Sequence, residues 1–371
     1  MVKAPMIKIF SNIPFDGGIP CACDNCTKIG ASNLLMTVVS ELAESLKTSH
    51  PDVMVETIGG YGAVPDPPTN LDVINPRLRI VWAQWGRNHS EGYDDATYDA
   101  RNLDSWRKAA KGGFSICQYY PDNFAEPWVM GPFTRAMISD RRYFIKHNVN
   151  AMYMLTYPKG YWWNHGLNAY LGGRNYYDET YDPYADIRDY GVNYFGKAAG
   201  PYMADYYQEW AKNIELSYRV KDNATKEDRA ALAAQRKNFI EPAIAAAKNN
   251  QLYAYRVNRV VQLHTLAESL AEGHRLRDVI EVLRKDTKFE DAAKVLDKAK
   301  THTDNTMELF YALADMNLGL IDRNEVGSFI KLGVKGWIAE EEKRIAAKDT
   351  KPMDANRKLS ETEMLPADVV K

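Results

Sequence analysis

Asp16, Asp122 and Glu126 are carboxylates that stand just beyond apolar runs, among glycine, asparagine and aromatic residues. Two carboxyls facing one bond can divide acid and base work: one, protonated, assists a leaving group, and the other, ionised, serves as nucleophile or activates water. Asp16 and Asp122 are the best-placed pair, with Glu126 as the reserve acid. Asp16 also precedes Gly17 and Gly18, so turn formation competes with catalysis for its role. Glu56 lies inside an apolar run, where it points inward or meets a helix.

Around these acids stand Asn12, Tyr61, Trp82, Trp85, Arg87, Tyr119, Tyr120, Asn123, Tyr157 and Trp162. A sugar offers an apolar C–H face and a rim of hydroxyls, so flat aromatics beside amide, guanidinium and carboxylate groups suit a saccharide cleft. Taken singly, each aromatic reads as packing, because an amphipathic ring fills a rim equally well. As a set they read as substrate-binding residues.

Cys21, Cys23 and Cys26 form the spacing C-x-C-x-x-C within CACDNC. Three states stand open for them: three thiolates on a structural Zn²⁺, one disulfide with a spare thiol, or three free thiols. The fourth cysteine, Cys117, reads as a small buried hydrophobe in a strand. No phosphate-binding loop and no dinucleotide fingerprint follows a strand, so no cofactor is required, and a structural zinc stands only as one of the three open states of the cysteines.

These residues need a scaffold that delivers them to one end. Five short apolar runs, at 7–12, 53–61, 78–85, 113–120 and 151–157, alternate with helix-sized intervals. Residues 33–48 place Leu34, Leu35, Val38, Val39, Leu42 and Leu46 on a helical stripe, with the Ser32 hydroxyl at its start, and 97–111 and 132–147 follow. Strands covered on both faces and joined by helical crossovers are parallel. The expected fold class is α/β: a partial (β/α)₈ TIM-type barrel of about five βα units, its N-terminal units missing, followed by an all-α helical domain. Residues 1–198 form the barrel part, 199–346 the helical domain and 347–371 a flexible charged tail. In the helical part, His264 shares a stripe with Val257, Val260, Val261, Ala267 and Ala271 and reads as a hydrogen-bonded core histidine.

The 371 residues carry 47 basic and 49 acidic groups, a balance that gives no basic field for nucleic acid. No apolar run reaches the length of a membrane span, and MVKAPMIKIF lacks the blocks of a signal peptide. Aromatic residues reach 11%, with 23 Tyr and 8 Trp, a surplus that the cleft reading accounts for.

The polar strand end SNIPFDGG leading into CACDNC, the GGYGAVPDPP turn, the aromatic YYPDNF and the segment YDPYADIRDYGVNYFGKAAGPYM together resemble a bacterial family known as domain of unknown function 4838. The resemblance spans roughly residues 1–220, with Tyr181, Asp182, Pro183, Tyr194, Phe195, Gly196, Ala198 and Ala199 as its most specific part. It implies a glycoside-hydrolase-like protein of polysaccharide degradation, secreted or periplasmic, with a (β/α)₈ barrel like those of β-hexosaminidases and α-glucuronidases. Segments that commonly precede the cysteine loop in that family are missing here, which implies a truncated barrel whose open edges self-associate. MLTYPKGYWWN at the fifth run holds no carboxylate, so a non-catalytic carbohydrate-binding protein, or an inactive barrel fragment, is the alternative to a hydrolase.

Overall fold

A computed structural model describes residues 9–11, 21–62, 64–83, 87–99, 101–120, 131–155, 162–177, 181–315 and 336–351. The five apolar runs form strands β1 (Ile9–Ser11), β2 (Met54–Gly59), β3 (Leu78–Ala83), β4 (Phe114–Gln118) and β5 (Ala151–Met154). They join in chain order, every pair parallel, in a sheet curled like half a barrel. Parallel neighbours cannot be linked by a tight turn, so each strand needs a long return path.

Helices α1 (Asp24–Ile29) and α2 (Ala31–Ser45) make the first return, α3 (Arg101–Ala109) and α4 (Thr134–Lys146) the third and fourth, and α5 (Trp162–Tyr177) follows β5. Between β2 and β3 the described residues form turns and no helix. One face of the sheet, with Val55, Leu78, Ile80, Phe114 and Ile116, packs on Met36, Val39 and Ala43 of α2, Leu103 and Trp106 of α3, and Tyr143 and Phe144 of α4. Burying such aliphatic and aromatic side chains contributes about 1.5–3 kcal/mol each, which makes this layer the main source of the unit's stability.

Helix α2 turns most of its expected stripe to the core, with Val39 buried and Leu35, Leu42 and Leu46 packed against it partly buried. Its buried stripe is Ser32, Met36, Val39, Ser40 and Ala43, while Val38 is exposed. Ser32 does not cap the helix: Gly30 precedes it, and the Ser32 hydroxyl donates to the Asp66 carbonyl at 2.6 Å. The small residues Ser32, Ser40 and Ala43 let the helix backbone lie close to the chain beneath it.

From Pro183 onward the described residues are helical: α6 (Pro183–Lys212), α7 (Glu215–Asp222), α8 (Lys226–Gln235), a π-helical turn (Arg236–Ile240), α9 (Glu241–Ala247), α10 (Gln251–Lys285), α11 (Phe289–Asp315) and α12 (Gly336–Ala346). Caps mark several starts. Asp182 accepts from the Tyr184 amide with Pro183 in the first turn, Thr225 and Asp228 form a reciprocal capping box, and Asn250 accepts from Tyr253. Helix α6 kinks at Gly196, whose φ is 85°. Leu276, Val279, Ile280 and Leu283 of α10 interlock with Ala292, Val295, Leu296 and Ala299 of α11, and the buried Arg284–Glu341 pair ties α10 to α12 at 2.6 Å. His264 is fully buried, with the Tyr206 hydroxyl at 3.3 Å and the Leu232 carbonyl at 3.0 Å, the core histidine that its stripe implies.

Contacts among the described residues group Met1–Ala125, Arg135–Thr156 and Gly172–Tyr181 in one compact unit, and Glu126–Thr134, Tyr157–Leu171 and Asp182–Lys371 in a second. The boundary read between 198 and 199 falls inside α6, two residues beyond the Gly196 kink. Of the tail, residues 352–371 lie outside the described residues. No described helix is long and apolar enough to cross a membrane.

Candidate functional site

Ser11, Glu56 and Arg79 are register partners on β1, β2 and β3, so their side chains share the face of the sheet opposite the one packed on α2, α3 and α4. Ser115 of β4 and Tyr153 of β5 share that face. Glu56 is 4% exposed and sits at the centre of this polar group. Tyr153 donates its hydroxyl to Glu56 at 3.0 Å, Ser11 approaches at 3.5 Å, and the Arg79 guanidinium lies 3.5 Å away while donating to Ser115 at 2.9 Å. Glu56 therefore takes the inward option left open by its place inside a strand. Burial and the facing Glu56 carboxylate both push the Tyr153 phenol up, so it remains a donor at neutral pH.

The Tyr153 contact also measures the curl of the sheet. Three strand spacings separate β2 from β5, roughly 14 Å if flat, more than the two side chains span at a hydrogen-bond distance. Only a curved sheet brings them together.

A second polar group gathers at the carboxyl ends of β3 and β4. Asp140 of α4, fully buried, receives both terminal nitrogens of Arg87 at 2.7 and 2.8 Å, the Tyr120 hydroxyl at 2.6 Å, the Gln118 amide at 3.2 Å and the Tyr93 backbone N–H at 2.7 Å. The Arg87 guanidinium also lies 3.8 Å from the centre of the Tyr93 ring, which meets Trp82 edge-on at 5.4 Å. Burial opposes the Arg87 charge, but the paired Asp140 more than offsets it and keeps the guanidinium cationic. Burial likewise drives the Tyr93 and Tyr120 phenols up, so both hydroxyls stay protonated.

The structure thus brings Trp82, Arg87 and Tyr120 into one connected set, and the set is interior. Trp82 is packed in the sheet–helix core, Tyr119 is buried just beyond β4, and Tyr61 is half-buried in the turn where it bridges Val64. Asn12, Asp16, Trp85, Asp122, Asn123, Glu126 and Tyr157 lie outside the described residues, as does the side chain of Trp162. Asp140 is absent from the residues read as chemical in the sequence, although it had a signal: it stands at helical spacing with Met137, Tyr143 and Phe144, an acid on an apolar stripe.

Cys21, Cys23 and Cys26 come together at the start of α1, with all three sulfurs within 4.8 Å of one another. The group can hold a metal ion. Cys23 is the residue before the helix and Cys26 lies in its first turn. No regular capping hydrogen bond forms at Cys23, yet the Cys26 amide and thiol and the Cys21 thiol all face its sulfur and pull its pKa down to about 7. Cys26, which supplies that thiol, is pushed up to about 11.

One family model, described as Domain of unknown function (DUF4838), matches residues 1–208. No curated protein matches the chain.

Proposed function

The chain belongs to the family described as Domain of unknown function (DUF4838), and on that premise we propose that it is a glycoside-hydrolase-like protein with a (β/α)₈-type wall. It acts on or binds a polysaccharide or oligosaccharide at the carboxyl ends of its strands. The observation that supports this reading is the sheet itself. Five consecutive parallel strands, curled until Tyr153 of β5 reaches Glu56 of β2, send successive loops toward one end, the arrangement from which barrel enzymes draw their working groups. Asp16 and Asp122 are assigned as the paired carboxyls and Glu126 as the reserve acid, with Asn12, Tyr61, Trp85, Asn123, Tyr157 and Trp162 toward the sugar. Arg87 and Tyr120 support that end from within through Asp140, and Trp82 through its edge-on contact with the Tyr93 ring.

The test is release of reducing ends from a panel of polysaccharides by the wild-type chain and by Asp16→Asn and Asp122→Asn. Turnover should fall by at least about 10²-fold in each variant; unchanged rates on a cleaved glycan would remove both residues from the mechanism. Non-catalytic carbohydrate binding is the second reading, favoured by the absence of any carboxylate in the sequence from Ala151 through Tyr161. Glycan retention without released reducing ends is its signature.

The two outer strands bear on self-association. Ile9 and Phe10 of β1 are 38% and 47% exposed, and Tyr153 of β5 and Leu155 beyond it are also exposed. What supports self-association through these edges is that β1 and β5 are the outer strands among the described residues and carry exposed apolar side chains. Phe10→Lys should lower the concentration-dependent light scattering of the chain; scattering unaffected by the charge would remove the β1 edge from that interface.

A further inference from the structure

We infer that Cys21, Cys23 and Cys26 are a Zn²⁺ site, giving three thiolates to one metal ion. Their exposure is the first argument. Unpaired cysteine is among the most buried of residue types because it packs as a small hydrophobe, yet Cys21 and Cys23 are exposed and Cys26 is only half-buried. Three thiols crowded at a surface are not explained by packing.

Local backbone geometry supplies the second argument. Cys23 is extended, with φ −68° and ψ 156°, and the chain then enters α1, where the Thr27 amide bonds the Cys23 carbonyl at 2.9 Å. Residues at the cap and three positions later project toward each other across a first turn. Cys23 and Cys26 hold those positions, and Cys21 folds back over the same turn to bring all the sulfurs within 4.8 Å.

Distance then selects the occupant. Around one tetrahedral zinc with Zn–S bonds near 2.3 Å, sulfurs stand roughly 3.8 Å apart, so the observed group needs to tighten by at most about 1 Å, within reach of side-chain rotation. An iron–sulfur cluster holds its thiolates on separate irons and spreads them wider than one ion does, which the close grouping disfavours. Soft thiolate donors exclude calcium and magnesium, which take oxygen. Binding releases the thiol protons and joins the stretch before α1 to its first turn.

The full-length chain, purified with reductant and equimolar zinc and then desalted, should retain about one zinc per chain by elemental analysis. Each of C21S, C23S and C26S should lose most of it, while C117S, altered in β4 away from the group, should retain it. Co²⁺ in place of zinc should give intense visible bands of a tetrahedral ion and a near-ultraviolet thiolate-to-metal band, both lost in C23S. Bound zinc should also protect the three thiols from alkylation until a chelator is added. Zinc-free protein with freely alkylated thiols overturns the site, as does a Cys–Cys disulfide found under reducing purification. Zinc retained equally by the wild type and all three loop variants overturns it too, because the metal would then sit elsewhere.

Discussion

Asp140 shows what a single buried charge costs when its partners are removed. Its two oxygens take five hydrogen bonds, two of them from the fully enclosed Arg87. Asp140→Asn would leave that guanidinium in the interior without a counter-charge and should lower unfolding free energy by about 3–5 kcal/mol in urea denaturation. An Arg87→Met, Asp140→Leu double variant should lose less than the single one. Asp278 of α10 bears on stability with the opposite sign. Burial raises its pKa to about 6, beyond what Arg277 and Arg229 offset. An unfolded aspartate titrates near 3.9, so between about pH 4 and pH 6 the folded chain holds the extra proton and stability falls as pH rises. At pH 7 the cost is fully present, so Asp278→Asn should gain about 2–3 kcal/mol there and almost nothing at pH 4, measured by the same unfolding curves. Residue types alone pointed Arg87 and Tyr120 toward a ligand. The acid that claims both comes from α4, and only its place on an apolar stripe hinted at this through-space pairing.

At the scale of the element, the strands were legible because β-branched and aromatic runs at helix-sized intervals have few other readings. Their ends were less so: in the run read as 151–157 the strand ends at Met154, with Leu155 already outside it, and in 113–120 it ends at Gln118, before Tyr119 and Tyr120. Where apolar character outlasts strand pairing, the sequence carries no stop signal. In helix α2 the leucines and Val39 pack on the core as their stripe implies, while the fully buried line also takes in Met36 and the small residues Ser32, Ser40 and Ala43. The kink in α6 was present in the sequence only as a glycine. At Gly196 a Cβ would lie 2.4 Å from a Tyr253 ring carbon, on a backbone with φ 85° that side chains rarely adopt. Gly196→Ala should therefore destabilise the helical unit by at least about 2 kcal/mol, read as a lower melting temperature. Adding Tyr253→Leu should recover only the part due to the clash, because the backbone strain remains.

On the scale of the whole molecule, the near cancellation of 47 basic and 49 acidic residues sets a colloidal property more than a structural one. Solubility should pass through a minimum close to pH 6.4, the isoelectric value of the sequence, and turbidity against pH at fixed concentration measures it. The change from alternating strands and helices to helices alone was readable in composition, where Ala, Glu, Lys, Arg and Leu displace β-branched residues. The position of that change was not, because α6 begins at Pro183 with tyrosines and glycines that look like loop. The order β1-β2-β3-β4-β5 has a consequence for biosynthesis. Each strand pairs with the one that left the ribosome just before it, so every new segment finds its docking partner already made and none must wait for a later one. Parallel sheets whose neighbours are distant in the chain pay heavily in loop closure before any contact forms. Here the sheet can grow one strand at a time, in step with translation, and pauses between successive units should change the yield of folded chain little.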